Sequence, residues 1–150
     1  MGQSFVKNYI HLVFSTKLRQ PFIDQTIEVE LHRYLGGLCN KLDCQIIKVG
    51  GFIDHVHLLC LLSKRIALVH LVEELKTQSS KWIKTKGIQY KNFYWQNGYG
   101  VFSVTPSETD EVISYIANQH EHHSKMSFQT EFREILSQFN IEYDERYVWD

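Results

Sequence analysis

Long hydrophobic runs are absent from this 150-residue sequence. No window approaches the roughly 18 consecutive apolar residues of a membrane span, so none is expected. The opening stretch, MGQSFVKNYIHLVF, lacks a basic segment with a small-residue cleavage site and does not read as a signal peptide. Cysteine is scarce. Cys39, Cys44 and Cys60 are odd in number and form no CxxC pair, which excludes a disulfide framework and a zinc knuckle and fits reduced thiols in the cytoplasm. There is no internal repeat and no low-complexity segment. An excess of positive charge is missing too: the formal net charge is −1, which taken alone argues against a nucleic-acid binder.

The distribution of charge is less even than its sum. Residues 64–91 carry seven basic side chains against only Glu73 and Glu74, whereas residues 107–150 carry three basic against ten acidic. The acidic end hides a basic middle. Lys76, Lys81, Lys84 and Lys86 are therefore candidate phosphate contacts, with a plain solvated helix face as the alternative. Apolar residues make up 43% of the chain, enough for one domain spanning residues 1–150 with a core of its own.

Hydrophobic spacing gives the order of elements. Residues 5–16 set Ile10, Leu12 and Phe14 against Tyr9, His11 and Val13, the alternation of a strand. Pro21 and Asp24 introduce a helix striped by Ile27, Leu31, Leu35, Leu38 and Leu42. Residues 45–53 and 55–62 read as a hairpin turning at Asp54, and 66–84 as a second amphipathic helix. A strand follows at 99–105, with a short one possible at 92–95. TPSETDE then starts a helix, with Ser107 as cap and three acids in the first turn, expected to run to about His123. Ser127 opens a last helix on Phe128, Phe132, Ile135, Leu136 and Phe139, and IEYDERYVWD reads as an extended arm. This order predicts an α+β fold: a ferredoxin-like βαββαβ antiparallel sheet with helices on one face, plus C-terminal helices. The other sheet face is left free for a site, a partner subunit or both.

Two imidazoles stand out in the apolar run GGFIDHVHLLCLLS. His55 and His57 sit two apart on a strand, so they share a face about 7 Å apart and can converge on one metal ion. Core histidines satisfied by hydrogen bonds would give the same pattern. Downstream, ISYIANQHEHH puts Tyr115 and Gln119 four residues apart on the border of an apolar helix face made by Val112, Ile113, Ile116 and Ala117. A tyrosine there can act as nucleophile beside a metal-binding amide. His120, His122 and His123 read as a solvated, partly cationic helix end, with metal binding as the alternative.

With YIHLVFSTKLRQPFI, GGFIDHVHLL, FYWQNGYGVFSV and YIANQHEHH, the chain resembles the single-tyrosine transposases of small bacterial insertion sequences, including the REP-associated type, in the HUH endonuclease superfamily. The superfamily name describes His55-Val56-His57. The resemblance implies that His55, His57 and Gln119 bind a divalent ion, Mg²⁺ or Mn²⁺, and that Tyr115 is the nucleophile. It implies an enzyme that cleaves and rejoins single-stranded DNA through a 5′-phosphotyrosine, works as a homodimer and recognises a hairpin near the element ends. Two other classes stay open at this point: a domesticated relative that binds hairpin DNA without moving it, and a ferredoxin-like regulatory domain with structural histidines.

Overall fold

A computed structural model describes residues 2–150. Its centre is a four-stranded antiparallel sheet built from β1 (Tyr9–Ser15), β2 (Ile46–Phe52), β3 (His55–Leu61) and β4 (Gly100–Val104), in the order β2-β3-β1-β4. That is the ferredoxin-like arrangement expected from the element order. Helix α1 (Glu28–Lys41) joins β1 to β2 and helix α2 (Leu68–Lys84) joins β3 to β4. Three further helices follow: α3 (Thr109–Ala117), α4 (Gln119–His123) and α5 (Phe128–Gln138).

Alternation assigns the strand residues to two layers. Ile10, Leu12 and Phe14 of β1 and Val56, Leu58 and Cys60 of β3 join Leu31 and Leu35 of α1 and Leu71 and Leu75 of α2 in the main core. The intervening residues point the other way. Val13 and Phe102 pack with Phe128, Phe132, Ile135 and Leu136 of α5, and Leu59 and Val104 pack with Ile116 of α3. The face expected to be free is thus covered by the chain's own C-terminal helices. His11, His55 and His57 lie between those two small apolar clusters, all buried.

Four details depart from the sequence expectations. The helix expected to run unbroken to His123 is interrupted at Asn118, whose φ of −98° and ψ of 18° leave the helical range. Asparagine competes with helix geometry through its own side chain, so it is a natural place for a break. The start of this region is capped by Thr105 and Glu108 rather than by Ser107: Glu108 Oε1 accepts from both the Thr105 amide (3.1 Å) and its hydroxyl (2.7 Å). The short strand expected at 92–95 is a single bridge between Thr16 and Trp95. Finally, the tail is no extended arm. It turns at Asp144, and Val148 and Trp149 cover the apolar face of α5, while the Gly98 amide donates to the Asp150 carbonyl at 2.7 Å. Burying an indole over Phe128 and Phe132 removes apolar surface from water, which an arm in solvent would leave exposed.

Candidate active site

The tight hairpin between β2 and β3 positions the first two ligand candidates. It turns on Ile53 and Asp54, and it closes so tightly at Gly51, with φ at +155°, that a Cβ there would sit 2.2 Å from the His55 carbonyl oxygen. His55 and His57 then point from β3 to the same side, ring centroids 5.1 Å apart, and both are fully buried. The Asp54 carboxylate, one residue back, lies 2.7 Å from His55 Nδ1. His57 Nδ1 shares a 2.8 Å hydrogen bond with His11 Nε2 of β1, whose ring stacks on it. Both Nε2 atoms face inward.

The break at Asn118 serves the site. It re-aims the chain so that Gln119 opens α4 almost wholly buried, at 1% exposure. Its Oε1 is 2.9 Å from both His55 Nε2 and His123 Nε2. Tyr115 stays on α3, its ring 5.7 Å from that of His57 and 5.5 Å from that of His122. All three residues singled out with Tyr115 in the sequence therefore meet around it, within one chain. The phenol lines a cavity of about 310 Å³ between α3 and α5, which is also lined by Glu108, Glu111, Glu134 and Phe102.

Two central residues escaped the sequence reading. Glu131, from α5, has its carboxylate in the middle of the cluster. Oε1 lies 3.1 Å from His57 Nε2, 3.1 Å from His123 Nε2 and 3.4 Å from His55 Nε2. Oε2 accepts from the Tyr115 hydroxyl and, at 2.8 Å, from Gln119 Nε2. The His123 side chain, expected at a solvated helix end, is almost wholly enclosed, with its Nδ1 held by the Met126 carbonyl at 2.7 Å. The signal for Glu131 was available: it is the lone acid on the stripe of Phe128, Phe132, Ile135 and Leu136. His120 does face solvent, paired with Glu28 at 2.8 Å. His122 leaves its Nε2 buried without a hydrogen-bond partner among the described residues.

Protonation follows from these contacts. Burial alone would lower His55, but the hydrogen bonds to Asp54 and Glu131 outweigh it and raise its pKa to about 9. Burial lowers His57 to about 4 and His11 to about 3. Burial opposes ionisation of Glu131, yet hydrogen bonds from His123, His55 and His57 hold its carboxyl far below the usual range. Burial, followed by the Glu131 charge, pushes the Tyr115 phenol up, so it rests protonated.

The donor set suits a divalent ion. A neutral imidazole carries one N–H. The Nδ1 atoms of His55 and His123 are held by Asp54 and by the Met126 carbonyl, which turns each Nε2 toward the Gln119 amide oxygen. Once a proton leaves Nε2, its lone pair and the neighbouring oxygens can share a divalent ion, and a ligating histidine typically has its other nitrogen held in this way. His55, His57 and Glu131 place one potential ligand atom each within 4.8 Å of one another.

The basic segment lies elsewhere. Helix α2 packs on the opposite sheet face from Tyr115. The Lys76 ammonium donates to three carbonyls, those of Gln96 (2.7 Å), Asn97 (3.1 Å) and Gly98 (2.6 Å), and so is already engaged within the fold. Lys84 sits 4.2 Å over the Tyr94 ring, and Lys86 is 5.0 Å from the Trp82 ring with Glu30 at 3.9 Å. No internal contact engages the Lys81 ammonium among the described residues.

A search of curated proteins returned no match. Among solved structures, a candidate transposase from Deinococcus radiodurans R1 is similar at 22% identity and a TM-score of 0.61, over 79% of this chain and 96% of that one. A REP-associated tyrosine transposase solved with a REP hairpin is similar at 14% identity and a TM-score of 0.60, over 82% of this chain and 73% of that one. No helix among the described residues is long and apolar enough to cross a membrane. The family model described as IS200-like transposase matches residues 4–119, which takes in both strand histidines, the tyrosine and the glutamine, and the chain therefore belongs to the IS200-like transposase family.

Proposed function

We propose that this protein cleaves and rejoins single-stranded DNA, with Tyr115 as nucleophile and His55, His57 and Gln119 as ligands of Mg²⁺ or Mn²⁺. The observation that carries this reading is the meeting of the Tyr115 hydroxyl, the Gln119 amide and both histidines on the single buried carboxylate of Glu131. A phenol nucleophile and a cation site are thereby side by side.

The chemistry balances. The phenolic oxygen attacks the scissile phosphorus, the bond from phosphorus to the 3′-oxygen breaks, and that oxygen takes up a proton while the phenol loses one. One phosphodiester is replaced by another, so the 3′-hydroxyl can later attack the 5′-phosphotyrosine and rejoin strands without an external energy source. When bound, the divalent ion would stabilise charge growing on the phosphoryl oxygens. The chain's own residues do the rest. Asp54 and His11 orient the two histidines, and the wall of Phe128 and Phe102 limits water around the site. Protonated at rest, Tyr115 needs its proton removed before attack, as expected of a group whose unperturbed pKa is about 10.

The similarity to a transposase solved with a REP hairpin supports hairpin DNA as the partner, recognised near element ends. Lys81, Lys84 and Lys86 are proposed as phosphate contacts; Lys76 would join them only by releasing its three carbonyls. Assembly as a homodimer is part of the proposal, and light scattering on the purified protein tests it. A hairpin-binding protein that does not cleave is the second reading. It is favoured by Glu108, Glu111 and Glu134 lining the cleft at Tyr115, where a phosphate meets negative charge.

One experiment separates the two. A labelled single strand carrying an element end is mixed with protein and Mn²⁺ and run on a denaturing gel. Wild type should give a shifted covalent band that Tyr115→Phe lacks while still binding the DNA. A band retained by the phenylalanine variant would remove Tyr115 from the mechanism, and no band from wild type would favour the non-cleaving reading.

A further inference from the structure

A carboxylate on the apolar stripe of a helix is costly. Glu131 is 1% exposed, and desolvating an ion of that size costs several kcal/mol unless something offsets it. No lysine or arginine pairs with it among the described residues. Its neighbours are instead imidazoles, one amide and one phenol. The two oxygens divide these neighbours. Oε2 accepts from the Tyr115 hydroxyl and the Gln119 amide, with His122 Nε2 3.5 Å away. Oε1 faces only the Nε2 atoms of His55, His57 and His123. Asp54 and the Met126 carbonyl hold the Nδ1 atoms of His55 and His123, so in both rings Nε2 is the atom turned toward Oε1. Oε1 is therefore an anionic oxygen within 3.4 Å of three imidazole nitrogens, and when those nitrogens give up their protons all four atoms converge on a space a divalent ion can fill.

From this geometry we infer that Glu131 is a fourth, anionic ligand of the divalent ion, through Oε1. The inference rests on the proposed site of His55, His57 and Gln119 and deepens it. Two consequences are chemical. The ligand set changes from neutral to singly negative, so the bound ion keeps a net charge of +1 rather than +2. An added carboxylate also shifts the set towards hard oxygen ligands, which suits Mg²⁺ and Mn²⁺. Because Oε2 holds the phenol, one side chain then ties the nucleophile to the ion.

The test measures Mn²⁺ binding alone, without DNA, by electron paramagnetic resonance of the free ion and by calorimetry. Four proteins are compared with wild type: Glu131→Gln, Glu131→Asp, His57→Ala and Tyr115→Phe, each first checked for a native unfolding transition. Glu131→Gln keeps the shape and loses the charge, and its Kd should rise about tenfold or more, the scale seen even for residues that only support a ligand. Glu131→Asp keeps the charge but draws it back, and should fall between. Tyr115→Phe should stay within about twofold of wild type, since the phenol touches only Oε2. If His57→Ala abolishes binding while Glu131→Gln and Glu131→Asp keep the wild-type Kd, the metal site stands and the role of Glu131 falls. Tighter binding by Glu131→Gln would make Glu131 a plug that the ion must displace, and would also overturn the inference. If wild type binds no Mn²⁺, or if His57→Ala changes nothing, the underlying site falls with it.

Discussion

Replacing Gly50 with alanine puts a methyl group where the fold has no room for one. Gly50 lies opposite His57 in the ladder between β2 and β3, and α3 crosses directly over it. A Cβ at this position would be 2.5 Å from the Ile116 carbonyl oxygen and 2.7 Å from Ile116 Cγ2. Ordinary contact begins near 3.4 Å, so relief requires a retreat of about 0.9 Å. The backbone of a helix cannot step aside as a side-chain tip can, so α3 must move as a body and carry Tyr115 with it. Overpacking of this kind costs about 1–3 kcal/mol. A displacement near 1 Å at a reacting group can cost about 10²-fold in rate. Gly50→Ala is therefore expected to lower stability in urea by about 1–3 kcal/mol and slow covalent adduct formation by about 10- to 100-fold. Gly36→Ala is the control. Its Cβ would meet Ile46 Cγ2 at 3.5 Å, ordinary contact inside α1, and it should stabilise by up to about 1 kcal/mol with the rate unchanged. Wild-type stability and rate in Gly50→Ala would refute the close approach. Lost stability with an unchanged rate would refute the idea that the seat of α3 sets the position of Tyr115.

Charge reversal of Lys81, Lys84 and Lys86 should lower the salt slope of single-strand binding by roughly 0.7 per lost phosphate contact, read by fluorescence anisotropy across salt concentrations. Lys76→Ala should act on folding instead, costing about 1–3 kcal/mol in urea, because three carbonyls lose their donor. The metal-free protein should be most stable near pH 6.5. Below that value the unfolded chain takes up protons that buried His57, lowered to about 4, and His11, lowered to about 3, refuse, so stability falls on acidification. Above it the contribution of His55, fully present below the unfolded pKa of about 6.5, is lost as pH rises through about 9. Urea midpoints measured in chelator from pH 5 to 9.5 check this, and a flat profile would contradict the protonation states assigned to the cluster.

The elements were legible because they are repetitive. Alternation at Ile10, Leu12 and Phe14 and the stripe at Leu31, Leu35 and Leu38 each repeat one instruction several times, so one exception does little harm. His55 and His57 were legible for the same reason, since parity on a strand fixes a shared face. What could not be read were single events. The break at Asn118 rests on one residue, and it decides where the Gln119 amide points. Tyr115 and Gln119 share a helix border on a wheel that assumes a continuous helix, and the resemblance assigns the same two residues as nucleophile and ligand. The sequence marks Glu131 only as a lone acid on the apolar stripe of α5, which says that it is buried but not what it meets. Its partners lie 8 to 76 residues away in sequence, and no local pattern carries that information. The tail reads as an arm because half of IEYDERYVWD is charged with no helical or strand period, and the two residues that anchor it, Val148 and Trp149, pack on a surface that Phe128 and Phe132 supply from α5.

Strand β3 divides inherited variation between two fates. Val56, Leu58 and Cys60 look into the main core, and a change there alters how much folded protein a cell holds. His55 and His57, one step away on either side of Val56, look into the acid–imidazole cluster, and on the proposed function a change there removes activity beyond whatever folded protein it costs. A catalogue of every substitution along the strand, scored separately for abundance and for activity, would show two signals interleaved at a spacing of two residues. The buried residues of α1 and α2 are then free to drift in sequence under selection for abundance alone, while lineages that lose mobility can relax the other face as far as the fold allows.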